Sequence, residues 1–552
     1  MNSQPLGPLS PGQRRQAALD RRFAAALAQN AQAHGVSQNN GDDSKYGDRR
    51  ASFTKGLPHD SQGLVSPGAY MSLLNALKSG APNDFEHIQL GGPRKLINPQ
   101  AGLAFEMIGN DPQSFSIPPA PAFESDEIAA EIVENYWMAL LRDVPFSEYA
   151  TNPGVSDAAN ELTGFGLDFK GAKDNAGNVA PQTLFRGLTP GDKVGPYISQ
   201  FLMLPVPFGA QGFEQVMRTP KAGIDFVLKW DDYLQVQRGA DRGFAASDFD
   251  KDVYIRNGRD LSQWVHIDVL FQAYFNAMLI LLTSNAAPTP VGGGIAATQD
   301  VNNPYLHFQS YTQAAFGTFG DPYIAATLCE VASRALKAVW CQKWFVHRRL
   351  RPEVFAARIH SNLTKLPSAP PTDFPISSKL IKRKNPQPTD PDEPKWEPVT
   401  PVLARVAAHN QGQQNGGDAT YLLPLAFPEG SPIHPAYGAG HATVAGACVT
   451  LLKAFFDEDQ PFPNPMKVNA AGDGLEPYFG DALTIGGELN KLASNVAIGR
   501  NIAGVHWRSD GTESLYLGEE VAIALLRDHK LTFNERFAGW KLTRFDGRQV
   551  VI

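Results

Sequence analysis

Apolar residues return every three or four positions along much of this chain, and strict alternation is rare. In SDEIAAEIVENYWMALLRDVPF, Ile128, Ile132, Val133, Tyr136, Trp137, Leu140 and Leu141 fall at helical spacing. Asp126 and Glu127 occupy the first turn, where carboxylates complement the helix dipole. The same period predicts helices over 261–283, 323–349, 441–456, 482–498 and 511–528. Strand signals are few: AGIDFVLKWDDYLQVQRG, around Phe226, predicts a short hairpin. Between Leu366 and Pro401 closely spaced prolines preclude a regular helix and predict a long surface excursion. The predicted fold class is mainly α: a helical bundle or bundles with long Pro/Gly-rich loops and few short strands.

Residues 1–60 are polar and rich in Gln and Asn, which predicts a mobile arm with a short helix near RRQAALDRRFAAALAQ. Residues 61–552 are then one large α-helical domain. A net charge of −7 with 19% charged residues describes a mildly acidic globular protein and argues against a nucleic-acid or membrane-surface partner. The most apolar stretch, WVHIDVLFQAYFNAMLILL from Trp264, is interrupted by His266, Asp268, Gln272 and Asn276, so it predicts a buried helix rather than a membrane span. No apolar signal segment follows Met1, which predicts a soluble protein, cytoplasmic by default. Cys329, Cys341 and Cys448 form no disulfide framework or metal-ligand pair and read as buried small hydrophobes. His266 and His307 read as core or loop groups.

Three separated stretches carry candidate chemistry: 340–360, 430–445 and 495–512. HPAYGAGHATVAGA, from His434, places His441 after Gly440 at a predicted helix start, where unpaired N–H groups and the positive dipole end suit an anion. CQKWFVHRRLRPEVF gathers Lys343, His347, Arg348, Arg349 and Arg351. The Arg351–Pro352 junction disfavours helix at Arg351, and a basic helix end explains the segment equally well. NVAIGRNIAGVHWRSDGTESL holds Arg500, His506 and Asp510 in one loop-to-helix passage, with a helix ending near Ile498 and Ser509 or Asp510 capping the next. If Lys343, Arg351 and Arg500 converge on that helix start, they form a cradle for a compact oxyanion. Two histidines accompany it.

The order Lys-x7-Arg-Pro, then Gly-His, then Arg-x5-His-x3-Asp resembles the vanadium-dependent haloperoxidases and the acid-phosphatase superfamily that shares their pocket. SFTKGLPHDSQGLV, QKWFVHRRLRPE and HPAYGAGHAT are most similar to the bromoperoxidases of red algae and cyanobacteria. The resemblance implies the helical-bundle fold of that group and one vanadate per subunit. It implies His506 as the metal ligand, Lys343, Arg351, Arg500 and the Gly440 N–H as oxyanion partners, and His441 as the acid–base group. Catalysis would then rest on His441, Lys343 and His506. His434 matches a second histidine that favours bromide, iodide and chloride being left open. Asp510 matches the aspartate that orients His506 through its other ring nitrogen, as outer partners of metal ligands do. Asp268 is a weaker candidate to orient His441, and His347 to line or cover the pocket.

The implied reaction oxidises halide with hydrogen peroxide to a hypohalous-acid-type species that halogenates small organic acceptors, by Lewis-acid chemistry without metal redox change. The family also implies a homo-oligomer, dimer-based and up to a dodecamer. A phosphomonoesterase with His506 as nucleophile and His441 as acid is the alternative; a non-catalytic oxyanion-binding protein is the remaining one. Two departures stand out. Ala439 replaces the serine of the family's Ser-Gly-His, removing a hydrogen bond worth roughly 1.5–3 kcal/mol to a charged group, and Gly499 stands where phosphatase-like members often have serine.

Overall fold

The computed structural model describes residues 7–283, 294–295, 297–306, 310–366, 373–390, 393–413 and 418–552. The helices that matter for the site are α1 (Pro11–Asn30), α2 (Asp126–Leu140), α3 (Gly258–Ile267), α4 (Gln272–Leu282), α5 (Asp321–Cys341), α6 (Pro352–Leu363), α7 (Gly440–Phe455), α8 (Ile485–Ile502) and α9 (Arg508–Lys530). Among the described residues, strands occur as five two-stranded antiparallel pairs at the periphery.

Helix α7 is the axis of the bundle. Its sequence, GHATVAGACVTLLKAF, has no extended polar face, and every residue except His441 is buried. A helix apolar all round must be enclosed, and α4, α5, α8 and α9 enclose it. The closest approach is to α9. A Cβ on Gly446 would sit 2.2 Å from the Leu515 carbonyl, and one on Gly518 would sit 2.0 Å from that of Thr443. Glycine at both places lets the two backbones touch.

Several predicted boundaries move. The helix expected over 261–283 is two helices, α3 and α4, bent by 98° about a short break. Asp268 caps α3 in an extended conformation. No proline or glycine marks the corner, so the apolar pattern on either side reads as continuous. The helix expected to reach Arg349 ends at Cys341, followed by a wide π-helical turn from Gln342 to His347 and a left-handed Arg348 at φ 41°. The hairpin expected near Phe226 is absent: Phe226 bridges Leu425, and Trp230–Gln237 is helical. In α2 the whole stretch Ile128–Ala139 is buried, including Glu131, Glu134 and Asn135. What looks like a solvated polar face instead grips other parts of the chain.

In the N-terminal region α1 has no buried residue, whereas residues 51–57 lie in the core. The excursion after Leu366 includes a strand pair, Ile381–Arg383 with Trp396–Pro398. Cys329, Cys341 and Cys448 are free thiols. No single helix among the described residues is long and apolar enough to cross a membrane; α3 and α4 pass that test only as a bent pair.

Candidate functional site

The three sequence stretches meet at the N-terminus of α7. Reversal of the chain at Arg348, rather than a continuous helix, brings Lys343 and Arg351 to the same loop. Lys343 Nζ donates to the carbonyls of Pro435 at 2.8 Å and Ala436 at 3.2 Å. Arg351, held extended before Pro352, donates from Nε and Nη2 to the His434 carbonyl at 3.0 and 2.8 Å and from Nη1 to that of Val505 at 2.7 Å. Its Nη2 also lies 3.0 Å from His434 Nδ1.

The third stretch arrives differently from expectation. Helix α8 does not stop at Ile498 but runs to Ile502, so Arg500 projects from its last turn. Gly499 is helical and lets α8 close on α3, where a Cβ would lie 3.1 Å from the Val265 methyls. Arg500 Nη1 donates to the Val265 carbonyl at 2.7 Å, and the guanidinium lies over Phe427 at 5.3 Å. Trp507, not Ser509 or Asp510, is the N-cap of α9. Asp510 stands in the first turn and accepts the Trp507 N–H at 3.0 Å.

His506 is fixed from both sides. Its Nδ1 lies 2.9 Å from Asp510 Oδ2, and its Nε2 lies 2.9 Å from Arg351 Nη1. Ionised Asp510 can only accept, so Nδ1 carries the proton and Nε2 presents its lone pair to the cations. Asp510 is itself clamped, since Arg349 Nη1 donates to its other oxygen at 2.8 Å. Arg349 Nη2 reaches Glu131 of α2 at 2.7 Å, and Asn135 of α2 donates to the Asn501 and His506 carbonyls, both at 3.1 Å. The buried polar groups of α2 thus anchor the passage that carries Arg500 and His506.

His441 follows Gly440 in the first turn of α7, and its Nε2 lies 3.0 Å from Asp268 Oδ1. The break between α3 and α4 places that carboxylate there. Sequence reasoning put Asp268 inside a helix, and the bend that aims it is a product of packing. Sequence reasoning also passed over Arg349, whose only signal was its place in the Arg-Arg-Leu-Arg run. His266 pairs with Glu429 at 2.6 Å and stacks on Phe427 at 3.8 Å. His347 packs edge-on against Tyr437 at 4.8 Å. His307 lies outside the described residues.

The electrostatics suit an anion. Burial pulls Lys343 well below the ordinary lysine range, and neighbouring Arg351 adds to the shift. Burial likewise brings Arg351 down to about 9 and Arg500 to about 10. His506 and His434 are pushed well below the usual imidazole range, first by burial and then by these cations, and so are neutral. Burial also lowers His441, with Asp268 opposing it. The nearby carboxylates are engaged elsewhere: Asp510 with Arg349 and His506, Asp268 with His441, and Glu353 with Lys55. Arg500 Nε is buried without a partner, and no side chain caps α7. Buried cations without a carboxylate partner of their own are costly, and a multiply charged oxyanion beside His506 would offset their charge and accept from Arg500 Nε. Among the described residues no cluster of three or more His, Cys, Asp or Glu is arranged to hold a bare metal cation. The donor set fits vanadate, an oxyanion whose oxygens take hydrogen bonds and whose metal takes one imidazole nitrogen.

Residues 383–535 match the family model described as the VCPO second helical-bundle domain. The chain is 36% identical over 571 aligned positions to a vanadium-dependent bromoperoxidase of Corallina pilulifera, covering 91% of each sequence. It is 33% identical to one of Ascophyllum nodosum, covering 96% of this chain and 90% of that one. The homohexameric structure of a second vanadate-dependent bromoperoxidase from Ascophyllum nodosum superposes with a TM-score of 0.86 at 32% identity, covering 100% of this chain and 94% of the other.

Proposed function

This chain belongs to the vanadium-dependent bromoperoxidase family, and from that premise we propose how its own residues serve the reaction. The protein is a vanadate-dependent bromoperoxidase that oxidises bromide with hydrogen peroxide. The phosphomonoesterase alternative is not favoured. Vanadate, when bound, supplies a redox-inert Lewis-acid centre at which peroxide becomes an oxygen donor to the halide.

The observation that carries our assignment of the site is the unpaired cationic cage around the His506 Nε2 lone pair. Lys343, Arg351 and Arg500 hold the oxyanion by charge-assisted hydrogen bonds, and the Gly440 N–H adds the dipole end of α7. His506 binds the metal because Asp510 keeps the proton on Nδ1. His441, tied to Asp268 through Nε2, has Nδ1 left to take and return a proton at the pocket. His434, tilted against Trp340 at 5.0 Å and bonded to Arg351, is our candidate for the halide side. Small organic acceptors take up the oxidised halogen. We also read the chain as a homo-oligomer with one vanadate site per subunit, supported by the hexameric relative. We keep residues 61–552 as the large domain and residues 1–60 as the N-terminal arm, whose end, residues 51–57, packs into the domain's core.

The test compares peroxide-dependent bromination of a phenol with hydrolysis of nitrophenyl phosphate, each with and without added vanadate. Bromination should require vanadate and disappear in His506→Ala. Full activity in His506→Ala would refute the ligand assignment.

A further inference from the structure

The SFTKGLP stretch, residues 52–58, lies far upstream of the three site segments, yet it threads between two of them. Phe53 N donates to the Arg348 carbonyl at 2.8 Å, and Ser52 bridges Arg349. Gly56 N donates to the Gln237 carbonyl at 2.7 Å. Between these contacts Lys55, wholly buried, points its ammonium at two targets. Nζ donates to Glu353 Oε1 at 2.8 Å and to the Glu429 carbonyl at 3.0 Å.

Glu353 is equally committed. Its Oε1 also accepts from Gln237 Nε2 at 2.8 Å, and its Oε2 accepts the Ser431 N–H at 2.9 Å. The intervening Gly430 is left-handed at φ +69°, and a Cβ there would sit 2.7 Å from Glu353 Oε2 and 2.8 Å from Lys55 Nζ. No other residue fits beneath the pair without displacing it.

Glu353 lies two positions after Arg351, in the first turn of α6, and Ser431 lies three before His434. The pair therefore fixes the two segments whose relative placement creates the contact between Arg351 and the His434 carbonyl. Resting on the oxyanion-site reading above, we propose that Lys55 is a positioning residue for vanadate binding, acting through Glu353 to hold the Arg351 turn against the His434 loop.

The test measures orthovanadate binding to the full-length apoprotein by titration calorimetry, with thermal unfolding in parallel. Lys55→Met combined with Glu353→Gln removes both charges together, so neither is left buried alone. The control is a second buried pair, Lys491 and Glu488, 2.6 Å apart within α8, where Glu488 also accepts a backbone N–H, that of Gln200 at 2.9 Å. The Lys55/Glu353 double variant should weaken orthovanadate binding about tenfold or more. Lys491→Met with Glu488→Gln should lower the unfolding temperature comparably while leaving affinity within about twofold. Gly430→Ala, which pries the tie apart with both charges present, should weaken binding severalfold and decides the matter if the double variant does not fold. Unchanged affinity in the Lys55/Glu353 variant, or equal losses in both pairs, would overturn the proposal. Failure of the wild-type protein to bind orthovanadate would instead overturn the site reading, and this proposal with it.

Discussion

Replacing Ala439 by serine adds one oxygen at the start of α7, where we propose that the oxyanion sits. Ala439 is the N-cap of α7, buried, with φ −83° and ψ 126°. That extended conformation is the one an N-cap serine prefers, so the backbone need not move. The Ala439 N–H is already occupied by Ser514 Oγ at 2.7 Å, and its carbonyl accepts the Thr443 hydroxyl at 2.8 Å. The new hydroxyl is therefore free for two tasks. As an acceptor it takes an orphan N–H of the first helical turn, worth about 1 kcal/mol of stability. As a donor it reaches a charged oxygen, worth about 1.5–3 kcal/mol. At about 1.4 kcal/mol per decade the second term tightens orthovanadate binding roughly ten- to a hundredfold. One hydroxyl has a donor and two acceptor sites, so the tasks do not compete. Calorimetric titration of the apoprotein reads the affinity, and chemical denaturation without vanadate reads the cap. If Ala439→Ser stabilises the apoprotein but binds orthovanadate no more tightly, position 439 does not face the anion, and placing the oxyanion at this helix start is refuted.

Asp268→Asn removes the charge that favours protonated His441, so the histidine should lose its proton more readily. The acidic limb of the bromination pH profile should move down by about one unit or more, and an unmoved limb would separate Asp268 from the titrating group. Asp510→Asn can donate to His506 Nδ1 and favour the wrong tautomer, so vanadate affinity should fall about 10- to 100-fold, measured by calorimetry against wild type. On α1, Leu19, Phe23 and Leu27 are 57%, 63% and 55% exposed along one side; if this stripe is an inter-subunit contact, Phe23→Asp should reduce the assembly size in light scattering without lowering bromination per chain.

The spacing of the motifs made much of this site legible. Lys343, Arg351, Gly440, His441, Arg500, His506 and Asp510 come from three short stretches, and the structure brings those stretches together at the N-terminus of α7. Helices α7 and α9 were visible in the apolar period to within a few residues. Asp268 was visible only as a weaker candidate to orient His441, a contact the structure makes at 3.0 Å, because its placement depends on a bend that no helix breaker announces. Arg349 and Glu131 were not, because a cation in a basic run and a carboxylate on a helix look solvated until another element covers them. Lys55 was quoted within a recognisable stretch but had no visible partner, since Glu353 lies 298 positions away.

By itself, then, the sequence determined which chemical groups exist and which local conformations are accessible: helical periods, a glycine before His441, a proline that holds Arg351 extended. Those follow from side-chain chemistry and backbone sterics within a few residues. Only the tertiary structure decided which charges are buried together and which carboxylates are already taken. That depends on the closure of distant segments around α7, where the loss of water turns a set of ordinary cations into a site suited to an anion.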